Sequence, residues 1–279
     1  MSALRAFVLR KKRRYPVYVL VTRFLFLFRL LLVLSGSTAV LAACGAPMPL
    51  DGLPEGEAGR VVRIIDGDAL VLDTGLVVRL AGIEAPTPER RNRSGQPYAA
   101  EAARTLEDLA LGRDVTLYYP GLTRDRYDRA LAYAVTSDNL GDRLWLNEAL
   151  VRQGAARVRV YPDTAALAER LLEAEYFARL EVVGLWAEKG YEIRPASALA
   201  EDEQGFNIIR VDGLRSADVR DASRYSCAFV GQDSAFFIDV GPAAAGICAE
   251  PPETALVRGY VKDGRIELTH SLNLQVLSP

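Results

Sequence analysis

The segment at residues 60–83 restricts the fold most, because two tight turns there separate three short apolar runs. The runs are residues 61–65, 69–72 and 76–83, and the turns are Asp66-Gly67 and Thr74-Gly75. Apolar runs of this length, bounded by turns that contain glycine, are typical of strands joined by hairpins. The segment therefore predicts three antiparallel strands in a meander.

Two more strands and three helices are predicted after the meander. A helix begins at Pro97 and ends at Gly112, strands cover residues 115–119 and 130–135, and a short helix at 147–153 ends at Gly154. A third helix follows, and we expect Asp163 to cap it. The apolar positions at helical spacing are Ala100, Ala103, Leu106 and Leu109 in the first helix and Leu167, Leu171, Ala174 and Ala178 in the third.

This order of elements predicts a mainly β fold with α-helices (α+β) over residues 58–188. Five short strands with glycine at the bends suit a small closed β-barrel of the oligonucleotide-binding kind, here accompanied by three helices. A polar, alanine-rich linker is expected at residues 189–204.

Residues 205–279 are predicted to form a smaller all-β C-terminal domain. Its segment 257–268 contains the turn Asp263-Gly264 and resembles the late strands of oligonucleotide-binding barrels. The sequence leaves open whether this domain binds a ligand or only packs. The predicted strands are residues 206–211, 226–230, 235–240, 255–261, 265–269 and 272–277.

The first 43 residues have the composition of a targeting segment, with eight basic and no acidic residues before an apolar run that ends at Ala43. The sequence Leu41-Ala42-Ala43-Cys44 resembles the bacterial lipobox, where a peptidase cuts before a cysteine that is then acylated. We therefore expect a lipoprotein-type signal peptide at 1–43 and a lipid-anchored tether at 44–57. An uncleaved membrane helix is the alternative.

The expected location is the periplasmic side of the cell envelope. Gly45 follows the cysteine in place of the aspartate that retains such proteins at the inner membrane, which favours the outer membrane. Without residues 1–43, 26 basic residues stand against 36 acidic ones, a net charge of −10. Such a chain has no broad basic face, so a few placed arginines must make any contact with phosphate.

The cysteines and the single histidine limit the available chemistry. If Cys44 carries a lipid, Cys227 and Cys248 remain as a pair, and an oxidising compartment favours a disulfide over two buried thiols. His270 is the only histidine, which excludes histidine-rich zinc sites and Ser-His or Cys-His catalysis in the first domain. The chemistry that remains for the first domain is that of carboxylates, arginines and bound cations.

Four short motifs together resemble the thermonuclease (staphylococcal nuclease-like) family. They are Ile65-Asp66-Gly67-Asp68, then VRLAGIEAP at 78–86, DRYDRALAY at 125–133 and LNEALVRQG at 146–154. Each motif alone is weakly specific, but their order and spacing are typical of the family. The resemblance covers residues 58–188 and does not extend to the tether or the C-terminal domain.

The resemblance implies a metal and phosphate site at the strand ends. Asp68, Glu84 and the backbone carbonyl of Ala85 would hold one Ca²⁺ ion, which prefers hard oxygen ligands. The side chains that would bind the DNA or RNA substrate are Arg79, Arg129 and Tyr127, the arginines as forked donors to phosphate oxygens. As ordinary structure, Asp66-Gly67 would be only a hairpin turn and Arg79 a salt-bridging strand residue.

Two positions depart from the family pattern. Glu84 stands where the family usually has aspartate, and Thr87 stands where it has its catalytic glutamate. A threonine hydroxyl cannot accept a proton at neutral pH, so Glu89 becomes the nearby candidate for a general base.

These residues predict a calcium-dependent endonuclease, a phosphodiesterase that acts on DNA or RNA at the cell envelope. Asp68, Arg79 and Arg129 support this prediction, because they can neutralise and orient a phosphate. Thr87 supports the alternative, a catalytically silent barrel that binds nucleic acid or a protein partner.

Overall fold

The computed structural model of the chain describes residues 48–91, 94–137, 142–200, 202–232, 234 and 236–277. Pro49–Pro279 forms one compact unit, and Met1–Met48 forms another, of which only Met48 is among the described residues. The predicted signal peptide and Cys44 therefore lie outside the described residues. Within the described ranges, no helix is long and apolar enough to cross a membrane.

A closed barrel occupies the first part of the compact unit. The strands of this part are β1 (Glu55–Asp66), β2 (Ala69–Leu72), β3 (Val77–Leu80), β4 (Ile83–Glu84), β5 (Asp114–Tyr118), β6 (Ala130–Ser137), β7 (Arg143–Trp145) and β8 (Arg157–Val158). The sheet order is β3-β2-β1-β5-β6-β7, and a parallel pairing of β3 with β6 closes it. The predicted barrel of five strands, β1, β2, β3, β5 and β6, is thereby confirmed.

Three helices accompany the barrel, as predicted, but their details differ from the prediction. They are α1 (Ala99–Ala110), α2 (Leu146–Arg152) and α3 (Ala168–Leu180). The buried face of α1 consists of Ala99, Ala102, Leu106 and Ala110. Of the four apolar positions that recur at helical spacing, only Leu106 belongs to this buried face, because alanine lies on both sides of the helix and gives its orientation no clear signal.

The start of α3 also differs. The residue before it is Leu167, whose φ of 60° lies in the left-handed region, and no side chain caps the helix. Asp163 belongs to a separate 3₁₀ turn at Pro162–Thr164, so the predicted Asp163 cap was wrong. The turn interrupts the chain before the helix begins, which removes Asp163 from capping distance.

The turn between β1 and β2 packs directly against α1. A Cβ atom added to Gly67 would lie 2.7 Å from Cβ of Ala85 and 2.8 Å from Cβ of Ala102. Only glycine fits this close approach. The turn therefore fixes its two flanking acidic residues, Asp66 and Asp68, beside β4.

A second sheet forms the C-terminal part, and its all-β character is as predicted. Its strands are β9 (Arg194–Pro195), β10 (Gly205–Asp212), β11 (Arg215–Ala217), β12 (Cys227–Val230), β13 (Phe237–Val240), β14 (Thr254–Lys262), β15 (Arg265–Leu268) and β16 (Leu274–Val276). The order is β11-β12-β13-β15-β14-β10-β9, with β16 paired to β14. Asp263 and Gly264 have φ of 51° and 67° and form the predicted hairpin turn.

This sheet contains one strand that was not predicted and one disulfide that was. Strand β11 was not predicted, because its Arg215, Ser216 and Ala217 carry no apolar alternation. Cys227 and Cys248 form the expected disulfide, with a Cα–Cα distance of 5.9 Å. The bond joins β12 to the 3₁₀ segment Pro242–Cys248.

The barrel and the second sheet share a buried polar interface. A terminal guanidinium nitrogen of Arg258 on β14 lies 2.8 Å from a carboxylate oxygen of Glu175 on α3, and both side chains are almost fully buried. The same carboxylate accepts the backbone N–H of Val158 at 2.7 Å. Arg157 donates to the carbonyl of Phe206 at 3.0 Å. These contacts tie β8 to the C-terminal sheet.

The segments predicted as tether and linker both have packed residues. Leu50 is fully buried, and β1 already begins at Glu55. In the predicted linker, Arg194 and Pro195 pair in parallel with β10.

Candidate active site

A cavity of about 510 Å³ opens where the β1–β2 turn, β3, β4 and the loop before β6 meet. Seven residues of the barrel were predicted for the site, and four charged ones among them line this cavity: Asp68, Arg79, Glu84 and Arg129. Ala85 and Tyr127 line it as well, whereas Glu89 does not. The barrel therefore brings six of the seven together.

Asp68 is a buried carboxylate at the start of β2. One of its oxygens lies 2.5 Å from a terminal nitrogen of Arg79, and the other accepts the backbone N–H of Ala85 at 2.6 Å. Burial raises the pKa of Asp68 to about 7, against the attraction of Arg79 and with help from the neighbouring charge of Asp66. Asp68 is thus partly protonated near neutral pH.

Glu84 on β4 is held by three partners. One oxygen accepts a hydrogen bond from Arg159, and the other accepts one from the hydroxyl of Tyr260 at 2.9 Å. Arg79 lies 3.7 Å from the first oxygen. Burial acts to raise the pKa of Glu84, but the charges of Arg159 and Arg79 outweigh it and lower the pKa. Glu84 therefore stays ionised.

Arg129 is fixed by the loop that precedes it. Its Nε and one terminal nitrogen each lie 2.7 Å from the same carboxylate oxygen of Asp125, and its backbone N–H donates to the other oxygen at 3.0 Å. Partial burial acts to raise the pKa of Asp125, but these hydrogen bonds outweigh it and lower the pKa. The Arg129 side chain keeps 31% of its surface exposed toward the solvent.

Tyr127 lies at the open side of the cavity. It is 65% exposed, and the guanidinium groups of Arg126 and Arg129 lie 4.8 and 5.5 Å from its ring centre. An exposed ring next to two arginines can stack on a nucleic-acid base.

Thr87 and Glu89 differ in position. Thr87 lines the cavity, and its backbone N–H donates to the side-chain oxygen of Gln96 at 2.7 Å. Glu89 is exposed and is not among the lining residues. Glu89 is therefore not part of the cavity wall, although Thr87 and Arg90 on either side of it along the chain are.

Four residues of the site were missed by the sequence analysis. Asp66 and Arg90 line the cavity and lie 3.6 Å apart at their charged ends. Arg159 and Tyr260 both bind Glu84. Asp66 was assigned only to the turn, although an acid next to Gly67 was a usable signal. Tyr260 lies 176 positions from Glu84, and no local pattern could have connected them.

The donor set fits one hard divalent cation. Asp68 and Glu84 offer carboxylate oxygens, and Ala85 offers a backbone carbonyl, which are ligands that Ca²⁺ prefers. The burial that raises the pKa of Asp68 is a cost that a nearby cation would relieve. In the described ranges, no group of three or more His, Cys, Asp or Glu side chains is placed to hold a metal ion.

Comparison with known proteins gives consistent matches. The family profile described as "Staphylococcal nuclease homologue" matches residues 77–188. The thermonuclease of Staphylococcus intermedius is 31% identical over 134 residues, which cover 47% of this chain and 77% of that protein. The thermonuclease of Staphylococcus hyicus is 30% identical over 131 residues, or 46% and 75% of the two chains. An uncharacterized endonuclease of Escherichia coli is 33% identical over 131 residues, or 47% and 77%.

Proposed function

Because this chain belongs to the staphylococcal nuclease family, we propose that it is a metal-dependent endonuclease that hydrolyses phosphodiester bonds in DNA or RNA. The observation that carries the proposal is one cavity whose lining includes the arginines Arg79 and Arg129 and the carboxylates Asp68 and Glu84. Hydrolysis of a phosphodiester requires that the negative charge of the phosphate be neutralised, and preorganised arginines supply this.

Both arginines are held in place by carboxylates. Asp125 binds Arg129 through two of its nitrogens, and Asp68 binds Arg79. An arginine that is already fixed loses little side-chain freedom when it binds phosphate oxygens. Arg79 and Arg129 therefore bind and orient the scissile phosphate from two sides of the cavity.

We propose calcium as the cation, with Asp68, Glu84 and the carbonyl of Ala85 as its protein ligands. When bound, a cation of this kind neutralises phosphate charge and lowers the pKa of a coordinated water. Asp68 is the principal ligand of this proposal. Glu84 must share its oxygens with Arg159 and Tyr260, which compete for the same lone pairs.

The reaction should be slow, because Thr87 cannot accept a proton from the attacking water. Loss of a general base typically reduces a rate by about 10² to 10⁴. Asp66 takes the place of Glu89 as the candidate base, since Asp66 lines the cavity and Glu89 is exposed outside it. Asp66→Asn should therefore reduce turnover, whereas Glu89→Gln, the matched change on the exposed loop, should not.

The full-length chain, purified in mild detergent, provides the test of nuclease activity. We expect slow cleavage of single-stranded DNA or RNA with calcium, none with a chelator, and none by Asp68→Ala or Arg129→Ala. Arg63→Ala changes an exposed arginine of β1 outside the cavity and is the control. If the folded wild-type chain fails to cleave with calcium, magnesium and manganese, the proposal is wrong.

We further propose that the enzyme is anchored to the cell envelope through a lipid on Cys44. The lipobox-like sequence before Cys44 supports this, and so does the disulfide between Cys227 and Cys248, because such bonds persist in oxidising compartments. Cys44→Ser should shift the protein from the detergent phase to the aqueous phase in a partition assay. Unchanged partitioning would contradict the lipid anchor.

Thr87 supports a second candidate function, a silent barrel that binds nucleic acid without cutting it. The two candidates differ in one measurable outcome. A silent barrel would bind single-stranded oligonucleotides, yet neither the wild type nor Thr87→Glu would cleave them in the presence of calcium.

A further inference from the structure

We propose that a groove on the C-terminal sheet binds the phosphate backbone of a single nucleic-acid strand whose scissile bond lies in the barrel cavity. This inference rests on the proposed nuclease function and extends it. The groove is a cavity of about 480 Å³ between the segment 159–161 and strands β14 and β15. Its volume lies within the usual range of ligand sites, roughly 300–1,000 Å³.

The groove is basic although the exported chain is acidic. Among the described residues that line it, six are basic, namely Arg159, Arg220, Arg224, Arg258, Lys262 and Arg265. Three are acidic, namely Asp239, Asp263 and Glu267. A chain with a net charge of −10 after residue 43 thus concentrates positive charge at one place. Local concentration of this kind attracts a polyanion despite the net charge.

A buried carboxylate at the base of the groove holds two of its arginines. Asp239 is fully buried, with one oxygen 2.7 Å from Arg265 and the other 3.1 Å from Arg220. Arg220 also donates to the hydroxyl of Tyr225 at 2.7 Å, while 45% of its side chain remains exposed. Arginines held in this way are preorganised for the oxygens of a phosphate.

The groove and the candidate active site meet at Glu84. Arg159 and Tyr260 line the groove, and both donate hydrogen bonds to Glu84, which lines the active-site cavity. The guanidinium group of Arg159 lies 4.6 Å from the ring centre of Tyr161 and 4.5 Å from that of Tyr260. Tyr260 is 43% exposed, so part of its side chain remains open to a ligand.

The contacts of Arg159 and Tyr260 with Glu84 and the basic lining together favour a nucleic-acid strand as the ligand. In this proposal, a strand bound at the active-site cavity extends over the Arg159–Tyr260 pair to the fixed arginines around Asp239. Alternating cationic and aromatic side chains bind single strands through phosphates and base stacking, with little dependence on sequence. The groove would therefore increase affinity for longer substrates without changing the chemistry of cleavage.

The test measures fluorescence anisotropy of labelled single-stranded oligonucleotides of 3 and 12 nucleotides with the full-length chain in a chelator. The groove variant is Arg224→Glu with Lys262→Glu, two exposed side chains of the groove. The control is Arg63→Glu with Arg215→Glu, two exposed arginines outside it, so both variants change the net charge equally. A milder pair, Arg224→Gln with Lys262→Gln, and the melting temperature report on folding.

We expect the groove variant to bind the 12-mer about tenfold more weakly and to reduce the slope of log affinity against log salt by about two. The control variant should bind like the wild type, and the 3-mer should bind all variants alike. Equal weakening by both double variants, or no weakening by the groove variants, would overturn the proposal.

Two further outcomes separate this inference from the proposed function. If the wild-type chain binds the 12-mer through the groove but does not cleave it with calcium, the groove stands and the nuclease proposal fails. If the wild-type chain cleaves with calcium and the groove variants bind the 12-mer normally, the nuclease proposal stands and the groove proposal fails. Binding to vesicles of anionic phospholipid that is lost in the groove variants, with unchanged 12-mer binding, would assign the groove to lipid headgroups and overturn the proposal.

Discussion

Glu84 links three parts of the chain at the scale of single residues. Its carboxylate accepts hydrogen bonds from Arg159, just after β8, and from Tyr260 on β14, while Arg79 on β3 lies 3.7 Å away. The two hydrogen-bond donors, Arg159 and Tyr260, occupy lone pairs of the carboxylate, and the charges of Arg159 and Arg79 keep it ionised. The longer side chain of glutamate, compared with the aspartate usual in the family, lets this residue reach the C-terminal sheet.

Asp68 gives the first prediction, which concerns pH. Because its pKa is raised to about 7, a cation must displace a proton from it below that pH. The calcium concentration for half-maximal cleavage should therefore be about tenfold higher at pH 6 than at pH 8. Calcium titrations of the cleavage rate at the two pH values measure this.

The stability of the calcium-free protein gives the opposite trend and serves as the control. A carboxyl with a raised pKa stabilises the folded state below its unfolded pKa and loses that contribution as pH rises through 7. The melting temperature in chelator should thus fall between pH 5 and pH 8, and Asp68→Asn should reduce that fall. A calcium requirement that is the same at pH 6 and 8 would contradict the assignment of Asp68 as a ligand.

Thr87 gives the second prediction. It is partly exposed and lines the cavity, so a glutamate there can reach a water near the phosphate. Thr87→Glu should raise the turnover number by about 10², because a positioned base commonly contributes at least this much. Thr87→Gln, which has the same size but cannot accept the proton, should leave turnover unchanged. Equal rates for both variants, measured with a fluorogenic oligonucleotide, would show that position 87 does not limit the reaction.

The site could be predicted only as far as local motifs reach. Asp68, Arg79 and Arg129 lie in motifs that combine strand ends with turns, and the barrel places them on one cavity. Glu89 was chosen for its closeness to Thr87 in sequence, but it lies on the exposed loop after the cavity. Tyr260 could not be found, because its hydrogen bond to Glu84 depends on how the two sheets pack against each other.

At the scale of elements, α3 and β14 are joined by a buried ion pair. Glu175 accepts from Arg258 at 2.8 Å and from the backbone of Val158 at 2.7 Å. Arg258 also donates to the carbonyl of Val158 at 3.1 Å. The pair and the backbone of β8 therefore form one hydrogen-bonded unit, in which each charge compensates the burial of the other.

The third prediction tests this unit. Glu175→Gln should reduce the free energy of unfolding by about 3–5 kcal/mol, because Arg258 would remain buried without its counter-charge. Glu173→Gln, an exposed residue of the same helix, is the matched control and should change it by less than about 0.5 kcal/mol. Urea denaturation followed by tryptophan fluorescence measures both. Similar midpoints for the two variants would mean that the pair contributes little.

The elements were predicted best where side-chain periodicity is strong. β2, β6 and β14 are long or fully apolar runs. The buried face of α1 could not be read from the sequence, because Ala99, Ala100, Ala102 and Ala103 give the helix apolar residues on both sides. Burial there is decided by the barrel against which the helix packs.

At the scale of the whole molecule, the residues proposed for catalysis and those proposed for strand binding lie in different parts of the chain. Asp68, Arg79 and Arg129 precede the C-terminal sheet, whereas most groove residues belong to it. Arg159 and Tyr260 connect the two, since each lines the groove and donates a hydrogen bond to Glu84 of the active-site cavity. Removal of the sheet should therefore weaken substrate binding more than it weakens the chemical step.

The fourth prediction removes the second sheet by ending the chain after Gln204. This truncation keeps Tyr191, whose hydroxyl donates to the carbonyl of Pro97 at 2.8 Å, but removes Tyr260 and Arg258. The melting temperature should fall, because Glu175 and Arg157 lose their partners in the sheet. Cleavage of a trinucleotide should keep its kcat within about threefold, while KM for a 12-mer should rise about tenfold.

Tyr260→Phe in the full-length chain separates the two effects of the truncation, because it removes the hydroxyl that donates to Glu84 and keeps the rest of the C-terminal sheet. If kcat depends on that hydrogen bond, Tyr260→Phe and the truncated chain should show the same small change in kcat. The larger KM for the 12-mer should appear in the truncated chain only. Steady-state kinetics on both substrate lengths measure this. A truncated chain that is folded and keeps the wild-type KM for the 12-mer would show that the barrel alone binds the strand, and the C-terminal sheet would then contribute stability only.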